Sequence, residues 1–285
     1  MDLLGDIGGS HSRFALAQNG TIVADSLRRL NNDDFPRFDA ALAAYLAEVS
    51  APPLSRIALA VAGPMTGRRI TMTNRDWSVD GTALAADGAR VVLMNDLTAL
   101  GLAVPVLGQG SLETISAGIA EGPGQALVLN LGTGVNIAAI RLTETGAIRF
   151  ESEYGHAALS APIAEEARRV FGEKPRFPTV ESLFGGVALN SLGVVLDRPE
   201  AAEIGAMLGL LVRDLAVTLL PRAGLYLSGG VARALMAGPG RDGFTGVLGR
   251  PFEAATGIQH LPVWLITDDL AALRGCLAAL GSAAV

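Results

Sequence analysis

Asp6 closes a short apolar run and stands just before Gly8-Gly9-Ser10. Glycines at such a turn bring backbone N–H groups close to an anion, because no Cβ intervenes. Gly132-Thr133-Gly134 and Ser228-Gly229-Gly230 have the same make-up, each with a hydroxyl neighbour. An ordinary tight hairpin explains any one of them. Three in matching places, each following an apolar run, favour phosphate binding. A carboxylate beside a phosphate cradle suits Mg²⁺, which prefers oxygen ligands and keeps waters; the alternative for Asp6 is an Asx turn.

Two further groups carry polar chemistry. Asn95-Asp96 abruptly ends the apolar run Val91 to Met94. At the carboxyl edge of an α/β sheet Asp96 is either a general base or the N-cap of the next helix. Glu153, His156 and Glu181 form the other group. Glu-x-x-His could be a metal pair on one helix face, but Gly155 and the preceding apolar run argue for a loop. Two carboxylates, a histidine and an asparagine suit hydroxyls that both donate and accept. Any one of them alone reads equally well as surface polarity.

The elements that must position these residues follow from the pattern. Leu3-Leu4, Arg13 to Ala17 and Thr21 to Ala24, with Asn19-Gly20 between the last two, predict an antiparallel β1-β2-β3. Asp33 and Asp34 predict the cap of a helix from Phe35 to Val49. Strands are expected at Arg56–Ala62, Arg69–Thr73 and Arg90–Met94, then a helix from Thr98 to Val104 that Pro105 ends. A second cycle of strand, glycine turn and strand runs over Gln125–Asn130 and Val135–Ile140, followed by a turn at Glu144-Thr145-Gly146 and a strand to Phe150. Helices are expected at Pro162–Phe171, Val187–Leu196, Glu200–Leu220, from Val231 and at Leu270–Leu280, with strands at Leu225–Ser228 and Val263–Ile266. The recurrence suits a duplicated domain rather than a solenoid.

Composition bounds the reading. Of 285 residues, 50% are hydrophobic and 18% charged, which excludes intrinsic disorder. The net charge of −6 and scattered arginines exclude a nucleic-acid footprint. The one lysine, Lys174, lies outside any Walker A pattern. A single cysteine, Cys276, makes neither an intramolecular disulfide nor a Cys-based zinc site, and a reducing cytoplasm is expected. Asp2 and Asp6 flank too short an apolar run for a signal peptide. The uncharged stretch Gly122–Ile140 contains glycines, a proline and two asparagines, so it reads as strand-turn-strand rather than a membrane span.

Taken together, these residues resemble a family. Gly5-Asp6-Ile7-Gly8-Gly9-Ser10 with Arg13-Phe14-Ala15-Leu16 resembles the start of bacterial glucokinases, in the hexokinase/actin/Hsp70 ATPase superfamily. Ala62-Gly63-Pro64-Met65-Thr66-Gly67, Met72-Thr73-Asn74-Arg75-Asp76-Trp77, Asn95-Asp96-Leu97-Thr98-Ala99, Gly132-Thr133-Gly134, Glu153-x-x-His156 and Ser228-Gly229-Gly230-Val231 extend the likeness over nearly the whole chain. Tyr154 stands where the family has glycine, Asn130 and Asn136 where glycine is common, and the stretch between Gly186 and Glu203 is short. The ROK kinases are set aside, because one cysteine cannot build their Cys-rich zinc motif.

The resemblance implies an α/β fold of two RNase H-like lobes around a central cleft. One lobe would be residues 1–106 completed by 268–285, the other 107–267. It implies transfer of a phosphoryl group from MgATP to the 6-hydroxyl of glucose or a related hexose, in a homodimer. Asp96 would take the proton. Asn74, Asn95, Asp96, Glu153, His156 and Glu181 would hold the sugar. Gly5, Asp6, Ile7, Gly8, Gly9, Ser10, Gly132, Thr133 and Gly134 would cradle the phosphates, with Asp6 toward Mg²⁺. Gly229 and Gly230 would approach the adenosine.

Overall fold

The computed structural model describes residues 1–281 apart from 145, 151, 254 and 255; Thr145, in the expected turn before β13, lies outside them. Contacts divide the chain into two units, Met1–Leu107 with Asp269–Val285, and Gly108–Asp268.

The first unit contains β1 (Asp2–Ile7), β2 (His11–Gln18), β3 (Thr21–Ile22), β4 (Arg28–Asn31), α1 (Phe38–Glu48), β5 (Arg56–Val61), β6 (Met65–Thr66), β7 (Arg69–Thr71), β8 (Ser78–Asp80), α2 (Gly81–Leu84), β9 (Arg90–Asn95), α3 (Asp96–Ala103) and α10 (Ala271–Gly281). Its main sheet runs β3-β2-β1-β5-β9, with β4 also on β2. Side chains alternate across β1, as the pleat requires. Leu3 and Ile7 join Phe14, Phe38 and Tyr45 in one core, while Leu4 joins Ala58, Leu273 and Cys276 in another. Strands β1, β5 and β9 are parallel and level, with Ile7 opposite Val61 and Val61 opposite Asn95. The Gly8 turn and Asp96 therefore leave the same carboxyl edge of one sheet.

The second unit contains β10 (Leu112–Ser116), β11 (Gln125–Leu131), β12 (Val135–Thr143), β13 (Gly146–Phe150), α4 (Ala161–Phe171), α5 (Val180–Phe184), α6 (Gly186–Ser191), α7 (Ala201–Leu219), β14 (Leu225–Ser228), α8 (Gly230–Ala237), α9 (Gly240–Leu248) and β15 (Val263–Ile266). Its sheet runs β10-β15-β14-β11-β12-β13. Strands β11 and β14 are parallel with Asn130 opposite Ser228, so the turns at Gly132 and Gly229 also share an edge.

Local chemistry accounts for the departures from expectation. Asp33 and Asp34 lie in a 3₁₀ turn, and α1 starts three residues later than expected, at Phe38. Pro36 disfavours helical backbone in the residue before it, and Phe35 is extended at φ −131°, ψ 137°. Helix α3 starts at Asp96, not Thr98, because Asn95 is its N-cap and accepts the Leu97 N–H at 2.9 Å. Helix α6 stops at Ser191, short of Leu196, ahead of Gly193 at φ +68°. Strands β4 and β10 and the short helix α5 lacked a periodic signal. In α9, Gly240, Gly243 and Gly246 masked the helix. Close packing accounts for glycines here: on α7, a Cβ at Gly209 would stand 2.9 Å from the Cβ of Val247 on α9.

Candidate active site

In the first unit the Gly8–Ser10 turn is built around its carbonyls. Asn32 Nδ2 donates to Gly8 O at 2.7 Å and to Gly9 O at 3.3 Å, and the Asn32 N–H donates to Ser10 O at 2.9 Å. Arg75 Nε donates to Gly9 O at 2.9 Å and Nη1 to Asn32 O at 3.2 Å. Asn32 is fully buried, and Ser12 Oγ donates to its Oδ1 at 2.7 Å. Gly8 N–H is taken by His11 O at 3.0 Å, while the Gly9 and Ser10 N–H groups have no acceptor among the described residues. Two adjacent free N–H groups on a turn whose carbonyls are engaged behind it form an anion nest. Asn74 flanks it, with its Cβ 3.7 Å from where a Cβ on Gly9 would stand.

Asp6 pairs with Arg13 at 3.1 Å across the β1–β2 ladder. Burial pushes its carboxyl up, and the Arg13 charge and hydrogen bond offset part of that. Gly5 is a packing residue in mid-strand, since a Cβ there would stand 2.5 Å from Leu59 Cδ2 and 3.2 Å from the Phe14 ring. Ile7 is fully buried and offers only backbone. Asn95 Nδ2 donates to Gly63 O at 3.3 Å. Asp96 occupies the first helical position of α3 and is half-buried, its Oδ1 accepting the Leu97 N–H at 2.8 Å. It is thus the first residue of α3, and Asn95 is the cap.

The second unit repeats the turn with other donors. Gly186 N–H donates to Gly132 O at 2.8 Å and Val187 N–H to Thr133 O at 3.3 Å, both from the start of α6. Gly132 N–H is taken by Gly134 O at 2.9 Å, while Thr133 and Gly134 N–H have no acceptor among the described residues. Gly229 takes φ +96°, and a Cβ on Gly230, at the start of α8, would meet nothing within 4 Å.

Glu153, His156 and Glu181 gather at the start of β12. Thr179 and Ser182 cap α5 reciprocally, and this fixes Glu181. Glu181 Oε2 accepts the Val135 N–H at 2.9 Å. Asn136 Nδ2 donates to Glu153 Oε2 at 2.9 Å, and its Oδ1 accepts the Tyr154 N–H at 3.0 Å. Glu153 precedes a 3₁₀ turn, Tyr154–His156, and His156 is exposed beside it. The Tyr154 side chain packs on the core, and burial raises its pKa, followed by the charge of Asp214.

Sequence reasoning missed three residues of these constellations. Arg75 lies inside a segment that resembles the family, and Asn136 stands out only as a departure from glycine. Asn32, in a run of polar residues, carried no signal at all.

The arrangement has known counterparts. A crystal structure of glucokinase from an Antarctic psychrotroph superposes with a TM-score of 0.75 at 24% identity, covering 98% of each chain. A ROK family glucokinase from Streptomyces griseus, solved with glucose and AMPPNP, gives 0.60 at 18% identity over 98% of each. The fold is therefore the α/β, hexokinase-like ATPase fold of sugar kinases. In sequence, a glucokinase of Marinobacter nauticus is 30% identical over 99% of this chain and 98% of its own. The glucokinase family model matches residues 3–189 and 202–283, and the chain belongs to that family. The unmatched residues 190–201 run from the end of α6 to the first residue of α7.

Proposed function

We propose that this glucokinase-family enzyme transfers the γ-phosphoryl group of MgATP to the 6-hydroxyl of glucose. The observation that carries the reading is the pair of turns with engaged carbonyls and outward N–H groups, Gly9-Ser10 and Thr133-Gly134. Turns of this make-up suit anionic oxygen.

Asp96 accepts the hydroxyl proton as the O–P bond forms and the bond to the ADP oxygen breaks. Asn74, Asn95, Glu153, His156 and Glu181 orient the sugar through its other hydroxyls. Gly8 to Ser10 and Gly132 to Gly134 hold phosphates. Gly5 and Ile7 contribute as strand backbone leading into the first turn, and Gly229 and Gly230 admit the adenosine. Bound Mg²⁺ would supply neutralisation of the charge on the transferred group. Among the described residues no group of three or more His, Cys, Asp or Glu sites could hold a metal. A magnesium carried by phosphates and waters needs only one or two carboxylates, and Asp6 fits that role.

Residues 1–106 with 268–285, and 107–267, act as the two functional lobes. The chain stands outside the ROK group, a reading its single cysteine supports. It works in the cytoplasm, where one buried thiol needs no partner, and no described helix is long and apolar enough to cross a membrane. It pairs as a homodimer, for which Ile148 and Phe150, exposed on the last strand of their sheet, offer apolar surface. A panel of hexoses and amino sugars with MgATP, read as ADP release, tests the activity. Glucose as the best substrate is the expected result, and sugar binding without ADP release overturns it.

A further inference from the structure

We infer that Arg75, with Asn32 behind it, is the positioning residue that holds the Gly8–Ser10 turn in its anion-receiving form. This rests on the reading of that turn as a phosphate site. A peptide that turns its N–H outward turns its carbonyl inward, and an inward carbonyl needs a donor. Glycine peptides rotate freely, so the donors decide which face is presented. In the turn at Gly132 the donors are backbone N–H groups of α6, fixed by the helix itself. In the turn at Gly8 they are side chains: Asn32 Nδ2 on Gly8 O and Gly9 O, and Arg75 Nε on Gly9 O.

Arg75 is suited to the task because it is itself held. Its guanidinium lies 5.0 Å from the Trp77 ring centroid, pairs with Asp33, and donates to Asn32 O at 3.2 Å. The planar fork thus spans Gly9 O and Asn32 O at once, a geometry a single ammonium cannot reproduce. Asn74, its neighbour in sequence, flanks the same turn. The role predicts a far larger effect on the nucleotide than on the sugar, whose proposed contact Asn74 only borders the turn.

The experiment compares Arg75→Met, Arg75→Lys and Asp6→Ala with the unaltered enzyme, measuring KM for MgATP, KM for glucose and Tm. Arg75→Met is expected to raise the MgATP KM about tenfold, as a misplaced binding group does. Glucose KM should stay within about twofold, and Arg75→Lys should fall between the two. Should Arg75→Met not fold, Arg75→Lys alone carries the test through its MgATP KM. Lower Tm with both KM values unchanged would reduce Arg75 to structural support and overturn the inference. If Asp6→Ala raises the MgATP KM while the folded Arg75 variants do not, the inference falls and the phosphate reading stands. If none of the three changes it, the phosphate reading of the turn falls as well.

Discussion

Gly155→Ala offers a sharp perturbation of the proposed hydroxyl-binding cluster, because the new methyl has nowhere to go. A Cβ at Gly155 would overlap the Val135 carbonyl oxygen and stand 3.1 Å from its carbon. Carbon contacts settle near 3.5–4.0 Å, so relief of the carbon contact alone needs a shift of about 0.5 Å, and the oxygen needs more. The obstacle is strand backbone, so the Tyr154–His156 turn must yield. Its ties to Asn136, through Tyr154 N–H and Glu153 Oε2, are the bonds at risk. Each is worth about 1 kcal/mol, and a protein of this size loses about 2–4 °C of Tm per kcal/mol. A misplacement of about 1 Å in a binding group costs up to about 10²-fold. The expected result is a glucose KM raised about 10- to 10²-fold with weaker rejection of deoxy and epimeric sugars. The MgATP KM should change little, and Tm should fall by only a few degrees. Gly246→Ala is the control: it sits in α9 with open space at its Cβ and should leave kinetics unchanged. A folded Gly155→Ala protein with unaltered glucose KM and sugar ranking would refute the placement of the grip.

Two other outcomes follow from single features. Gly230→Ala meets no protein atom within 4 Å and adds helix propensity at α8, so Tm should hold or rise. An increased MgATP KM in that stable variant would mark nucleotide approach, and an unchanged one would remove Gly230 from the site. The Cys276 thiol is fully buried, and burial first, then the Asp6 charge, pushes its pKa up. Thiolate is the reactive form, so Ellman's reagent near pH 8 should label Cys276 only after unfolding; rapid labelling of folded protein would contradict the packing of α10 on β1.

The fold was legible where a residue pattern had one physical meaning. Apolar runs closed by glycine turns marked β1, β2, β11, β12 and β14, and proline marked the end of α3. It was illegible where tertiary packing supplied the signal. Helix α9 hides behind its glycines, and β10 shows almost no alternation, with only Ile115 buried. The site followed the same division. Residues proposed to meet a ligand, such as Asp96 and Glu153, have recognisable types in recognisable places. Residues that hold them do not: Asn32 acts through Gly8 and Gly9, 24 and 23 positions away in sequence. Asp96 shows a subtler limit. Its sequence position fits cap and base alike, yet Asn95 takes the cap and leaves Asp96 on the first turn of α3.

The role of Asp96 is tested most directly by the turnover of Asp96→Asn with saturating glucose and MgATP. Asparagine keeps the shape and the acceptor oxygen for Leu97 N–H but takes no proton at neutral pH. The account predicts a kcat lower by at least about 10²-fold, with glucose binding, measured by calorimetry, largely retained. A kcat close to that of the unaltered enzyme would contradict it.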